Sequence, residues 1–194
     1  MIENIEEITE KIRKYTKASV SESRYEHSIR TAETCAELCS KYGLDVKTGY
    51  LAGIAHDMCK KMEPEKLFST ASKDGEEISE LERKNPSLLH GRAAAVLIQE
   101  KFGIKDKDVI EAISNHTFGR KGTGDLAKIV FIADKIEPAR SQVTEEYKKS
   151  IKDLSLNQLL YKVVSESAEY ISKKGKKVAP QTKELLEYMK SGGL

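Results

Sequence analysis

The chain has no tryptophan, only four phenylalanines, and 6% aromatic residues overall. That is too few to signal a base-stacking platform, and single-stranded nucleic acid is not an expected partner. Cysteine is also scarce: Cys35, Cys39 and Cys59 form neither a CxxC pair nor an even framework, which points to reduced thiols and a cytoplasmic location. No run approaches the roughly 18 apolar residues needed to cross a bilayer. The acidic start Met1-Ile-Glu-Asn-Ile-Glu-Glu-Ile8 lacks the basic and apolar regions of a secretion signal. Neither sign of charge dominates, with 33 Lys and Arg against 31 Asp and Glu and a net charge of +2. A broad basic surface for nucleic acid or membrane is therefore not indicated, while a small polyphosphate ligand remains compatible. Histidine is rarer still than most types, and all four (His27, His56, His90 and His116) fall in or at the ends of helical patterns.

What is present is helical periodicity throughout. Ile2, Ile5, Ile8 and Ile12 form the apolar stripe of a first helix. Ser23 with Glu26 predicts a capping box for a second, about Arg24 to Tyr42, closed by Gly43. Asp45 caps a third, through about His56, and Pro64 opens a short fourth. A further segment is expected within 75–84, then Leu88 to Phe102 closed by Gly103, and Asp106 to His116. Residues 117–124, with Gly119, Gly122, Gly124, Arg120 and Lys121, read as a basic loop. Asp125 caps a helix ended by Pro138, and helices over 144–152, 156–174 and beyond Pro180 complete the chain. No strand, repeat or linker is signalled. The expectation is one all-α domain over 1–194, with a core at about 20–140 and C-terminal helices at 144–190 packed on it.

The chemistry-bearing residues sit on apolar faces. His56 follows Gly49, Ala52 and Gly53; His90 precedes Ala93, Ala94 and Leu97; His116 follows Val109, Ala112 and Ile113. Asp134 interrupts Ile129-Val-Phe-Ile-Ala133, where a carboxylate is costly unless paired or bound to a metal. A lone histidine on such a face is more often a satisfied core residue, and Asp134 could instead neutralise Lys128 or Lys60. The recurrence of four imidazoles and two carboxylates favours a ligand set. His27, His56, Asp57 and Asp134 would hold one ion, and Asp57, His90 and His116 a second, with the Asp57 carboxylate bridging. Two such ions can clamp the attacking and leaving oxygens of a displacement at phosphorus. Mixed imidazole and carboxylate donors suit Fe, Mn, Zn or Co better than Mg.

Lys60, one turn after Asp57, would counter phosphate charge. Arg140, Arg120 and, least of all, Arg92 are further phosphate candidates. Arg120 and Lys121 also read as solvated loop charges, and Arg140 as a helix C-terminal cap. Cys35, Cys39 and Cys59 read as packing residues, and Lys173 to Lys177 as a solvated turn or a lip for polyanions.

His27, His56-Asp57 with Lys60, His90, His116 and Asp134 resemble the HD-domain metal-dependent phosphohydrolases, with His90 and His116 resembling the dinuclear subgroup. Leu89-His90-Gly91, Asn115-His-Thr-Phe-Gly-Arg120, Ala133-Asp-Lys-Ile-Glu-Pro-Ala-Arg140 and Gly175-Lys-Lys-Val-Ala-Pro-Gln-Thr182 narrow this to one bacterial branch, the HD-type symmetrical bis(5'-nucleosyl)-tetraphosphatases. The similarity spans about residues 10 to 190. It implies a phosphodiesterase-like helical bundle around two divalent ions, iron foremost. It also implies hydrolysis of diadenosine tetraphosphate to two ADP by metal-bound hydroxide attacking an inner phosphorus, with Asp57 and Lys60 as the catalytic pair. Alternatives are another HD nucleotidase or phosphodiesterase, or a nucleotide-binding module without turnover. A homodimer is compatible with the sequence but nothing in it argues for one.

Overall fold

A computed structural model describes residues 2–193. The isoleucine stripe becomes α1 (Ile5–Ser19), with Ile12 fully buried and Ile2 packed against the core from just outside the helix. α2 (Glu22–Tyr42) is the longest element, and Gly43 ends it in the left-handed region (φ 77°), where its N–H donates to the Cys39 carbonyl. α3 (Val46–Ala55) starts as expected, with the Asp45 carboxylate accepting from Thr48 N–H. α2 and α3 lie against each other so closely that a Cβ on Gly53 would stand 2.6 Å from the Ala32 Cα.

α4 (Pro64–Ala71) is followed by a 3₁₀ turn, Ser72–Asp74, and the short α5 (Glu80–Lys84). A second 3₁₀ turn, Pro86–Leu89, leads into α6 (His90–Phe102). α7 (Lys107–Asn115), capped by Asp106, packs on α6 and on α8 (Asp125–Ile136), which also crosses α2 and α3. α9 (Glu145–Ile151) and α10 (Leu156–Lys173) follow, with α10 on α8 and α11 (Pro180–Lys190) on α10. Thr182 Oγ1 donates to the Phe118 carbonyl at 2.6 Å, pinning α11 to the loop after His116.

The described residues contain no strand, and their buried apolar side chains, Val96 and Ala179 apart, form one cluster. The fold is all-α. No helix among the described residues is long and apolar enough to cross a membrane.

Three local expectations are corrected. Ser23 is not the cap of α2: Ser21 is, its extended backbone (φ −67°, ψ 156°) starting the helix two residues earlier and leaving Ser23 inside the first turn. Reciprocal capping boxes occur instead at Ser79 with Glu82 and at Ser155 with Gln158. Gly124, not Asp125, is the N-cap of α8; Asp125 is its first residue and accepts from Lys128. The segment from Leu88 begins as 3₁₀ and becomes α-helical only at His90.

Candidate metal centre

Five elements deliver the six candidate ligands. His27 projects from inside α2, His56 is the C-cap of α3, and Asp57 follows it into a run of turns. His90 opens α6, His116 is the C-cap of α7, and Asp134 lies in the last turn of α8. All four histidines and Asp57 are buried. The imidazoles stand edge-on in a row, with ring centroids 5.3 Å apart for His27–His56, 4.8 Å for His56–His116 and 4.8 Å for His116–His90.

The Asp57 carboxylate lies across the middle of that row with its two oxygens facing different imidazole pairs. Oδ2 is 3.6 Å from His56 Nε2 and 3.8 Å from His27 Nε2. Oδ1 is 3.0 Å from His90 Nε2 and 3.7 Å from His116 Nε2. Asp134 closes one end, its Oδ1 3.1 Å from His27 Nε2 and 3.8 Å from His56 Nε2. A carboxylate so placed can bridge two cations, each with its own imidazoles.

The donor set fits divalent ions on its own chemistry. His27 Nε2 and His56 Nε2 are buried and have no hydrogen-bond partner, a costly condition unless a cation takes the lone pair. Their opposite nitrogens are engaged: His56 Nδ1 meets the Gly53 carbonyl at 2.6 Å, and His27 Nδ1 meets Glu137 Oε1 at 3.2 Å. His90 Nδ1 and His116 Nδ1 likewise meet the Ser87 and Ile113 carbonyls at 2.6 and 2.8 Å. Every ring thus has its outer nitrogen occupied and Nε2 turned inward. Two groups, His27–His56–Asp134 and His56–Asp57–His116, bring their donor atoms within 4.8 Å of one another. Gly91 permits this packing, because a Cβ there would stand 2.9 Å from His116 Cε1 and 3.0 Å from the Ile113 carbonyl.

Burial pushes the Asp57 and Asp134 carboxyls up. The imidazoles around Asp57, and Lys135 beside Asp134, outweigh this and hold both well below the carboxylate range. Burial is the largest influence on His56 and His116 and lowers both, His116 to about 3.

Four cations edge the cluster. Lys60 Nζ lies 3.7 Å from Asp57 Oδ1 and 3.1 Å from His90 Nε2, as its spacing suggested. Arg140 donates to the Asp134 carbonyl (2.6 Å) and carboxylate (2.8 Å), combining the helix-capping and the site reading. Lys135 Nζ is 2.8 Å from Asp134 Oδ2 and 2.8 Å from the His116 carbonyl. Arg24 Nη1 is 3.0 Å from Asp57 Oδ2. Asp134 therefore pairs with Lys135 and Arg140 rather than with Lys128 or Lys60.

Arg24 and Glu137 escaped the sequence reading. Arg24 stands one helical turn before His27, a spacing that would have marked it as sharing His27's face. Nothing local flags Glu137, which acts across 110 positions.

Two other arginines lie elsewhere. Arg120 is exposed and pairs with Glu76 at 3.6 Å, across a cavity of about 420 Å³ that Asn115, Phe118 and Gln181 also line. Arg92 is consumed structurally, bound to both oxygens of Asp74, to Glu82 and to the Glu76 and Glu77 carbonyls. It ties the segment before α6 in place and has no capacity left for phosphate.

Residues 24–139 match the HD domain family. The chain is similar to bis(5'-nucleosyl)-tetraphosphatase (symmetrical) of Bacillus subtilis, with 31% identity over 176 residues, 91% of this chain and 94% of that one. The protein of the same description from Staphylococcus aureus is 32% identical over 184 residues, covering 92% and 93% of the two chains. A crystal structure from Clostridium acetobutylicum, described as an HD superfamily hydrolase involved in NAD metabolism, superposes with a TM-score of 0.86 at 33% identity over 94% of this chain and 97% of that one. The matched span takes in all six candidate ligands, and the chain belongs to the HD-domain hydrolase family, grouping there with the symmetrical bis(5'-nucleosyl)-tetraphosphatases.

Proposed function

We propose that the chain, acting as one domain, hydrolyses dinucleoside tetraphosphates, and diadenosine tetraphosphate in particular, to two nucleoside diphosphates. The observation that carries this reading is the meeting of an inward-facing imidazole–carboxylate cluster with four cationic side chains. Such a rim complements a polyanion. His27, His56, Asp57 and Asp134 would hold one divalent ion and Asp57, His90 and His116 the other, with iron the first choice and Mn, Co or Zn compatible. When bound, two such ions polarise phosphoryl oxygens and make water nucleophilic at neutral pH.

The protein's own groups do the rest. Lys60 is about one third exposed, so its ammonium reaches a bound phosphate while staying beside Asp57. Arg24 and Arg140, also about one third exposed, are placed to grip the neighbouring phosphates and fix which phosphorus lies over the cluster. Attack at an inner phosphorus breaks a central anhydride and releases a nucleoside diphosphate. That anion is stable enough to leave without a strong acid, and Lys60 neutralises its charge.

The test is anaerobic incubation of Fe(II)- or Mn(II)-loaded protein with diadenosine tetraphosphate, followed by ion-exchange separation. ADP as the sole early product is expected. ATP with AMP would overturn symmetrical cleavage. No product from metal-loaded protein would favour another nucleotide substrate or a binding module.

A further inference from the structure

Three of the four imidazoles are oriented by their own segment. His56, His90 and His116 stand at helix ends, and each directs Nδ1 at the carbonyl three residues back: Gly53, Ser87 and Ile113. His27 differs, lying inside α2 rather than at a helix end. Its Nδ1 instead meets Glu137 Oε1 at 3.2 Å, just past the end of α8. Glu137 is 2% exposed and its other oxygen is committed, accepting from Arg30 Nε at 2.7 Å and from Ala139 N–H at 2.8 Å.

We propose that Glu137 is the positioning residue for His27, fixing the tautomer that turns the Nε2 lone pair toward Asp134 and the metal centre; this rests on the metal-dependent reading above. An ionised carboxylate has no proton to give, so His27 Nδ1 must donate and Nε2 must be left free. Arg30 supplies the orientation of the carboxylate, and Ala139 ties it to the turn that also carries Arg140. Carboxylates in this relation to a ligating imidazole commonly contribute 10- to 100-fold to metal affinity.

The geometry makes an unusual distinction between two substitutions. In Glu137→Gln, Arg30 and Ala139 both demand an oxygen on their side, which turns the amide NH₂ toward His27. That NH₂ is a donor, so it forces the proton onto Nε2 and blocks the ligand position. Glu137→Ala merely leaves Nδ1 without a protein partner. A tether that only held α8 to α2 would show the opposite order, with the near-isosteric Gln close to wild type.

The experiment is equilibrium dialysis of wild type, Glu137→Gln and Glu137→Ala with Mn(II). It is paired with long-range ¹H–¹⁵N NMR of the Zn(II)-loaded wild type to locate the His27 proton. We expect two ions per wild-type chain, a 10- to 100-fold weaker affinity for one of them in both variants, and Gln no better than Ala. We also expect a His27 proton on Nδ1. Gln binding within twofold of wild type, or a wild-type His27 bound through Nδ1, overturns the inference while leaving the metal-dependent reading intact. Wild type that takes up no metal overturns that reading and the inference with it. If neither variant folds, the proton position in wild type decides alone.

Discussion

Arg24 and Asp57 form an ion pair across the mouth of the site, Nη1 to Oδ2 at 3.0 Å, with the arginine about one third exposed and the aspartate buried. The guanidinium is thus anchored at the cluster and open to solvent at once, which suits a group that passes between carboxylate and phosphate. Arg24→Met is expected to raise KM for a dinucleoside tetraphosphate about 10- to 100-fold, the worth of a hydrogen bond to a charged group. Metal content should stay unchanged. Steady-state kinetics with parallel metal analysis checks this, and kinetics within twofold of wild type would remove Arg24 from substrate binding.

Lys60 has a different signature. Its ammonium sits 3.1 Å from His90 Nε2 and 3.7 Å from Asp57 Oδ1, where the proposed reaction would develop charge. Lys60→Met should lower kcat by about 10²- to 10³-fold, as for loss of one oxyanion-stabilising donor. Single-turnover measurements on metal-replete protein isolate that effect, and an unaltered chemical step would count against it.

Asp57→Ala removes the one carboxylate whose oxygens face both imidazole pairs. Both ions and the activity should be lost together. Elemental analysis after desalting decides: a variant that keeps one ion at full affinity would show that the two halves are separate.

Two glycines divide stability from metal binding. A methyl at Gly53 would drive against the Ala32 backbone, so Gly53→Ala should cost about 1–3 kcal/mol by overpacking. Thermal melting would then fall by roughly 2–12 °C. Gly91→Ala should instead displace the His116 ring, weakening metal retention more than it lowers the melting temperature. Calorimetry with and without Mn(II) compares the two.

The thiols should be silent. Cys35, Cys39 and Cys59 are buried, and burial raises all three, Cys39 to about 11 and Cys59 to about 12. A raised pKa leaves the unreactive protonated form in place at pH 8. A thiol-reactive disulfide reagent should label native protein only at the rate of unfolding. Rapid labelling at pH 8 would contradict the packing.

Four of the candidate ligands, His56, His90, His116 and Asp134, were legible in the sequence because each interrupts an apolar or small-residue helical face. Lys60 was legible from its one-turn spacing after Asp57. What was not legible depends on contacts distant in the chain. Arg92 stands two residues after His90, yet Asp74 and Glu82, brought over by the turns before α6, absorb it. Arg120 lies in the glycine loop as expected, but its exposed guanidinium meets Glu76 instead of the cluster. Glu137 stood only as one member of the Ala133–Arg140 run, since no local pattern says that its oxygen faces a histidine on another helix. At the level of helix ends, Asp45 was read correctly as a cap because an Asx side chain acts on its own backbone, whereas Asp106, read as the start of its helix, is the N-cap. Ser23 was misplaced because the backbone turns helical two residues earlier, after Ser21, whose side chain makes no capping hydrogen bond.

His27 and its partner Glu137 are separated by 110 positions and lie on the first of the helices that build the site and just past the end of the last. A ribosome adding about 5–20 residues per second needs roughly 5–20 s to pass from one to the other. Through that interval a nascent chain displays histidines with nothing to aim the first of them and with Asp134 still unmade. Capture of the ion assigned to His27, His56, Asp57 and Asp134 would therefore belong to the end of synthesis, when α8 docks, and a truncated chain ending before it would lack both Asp134 and Glu137.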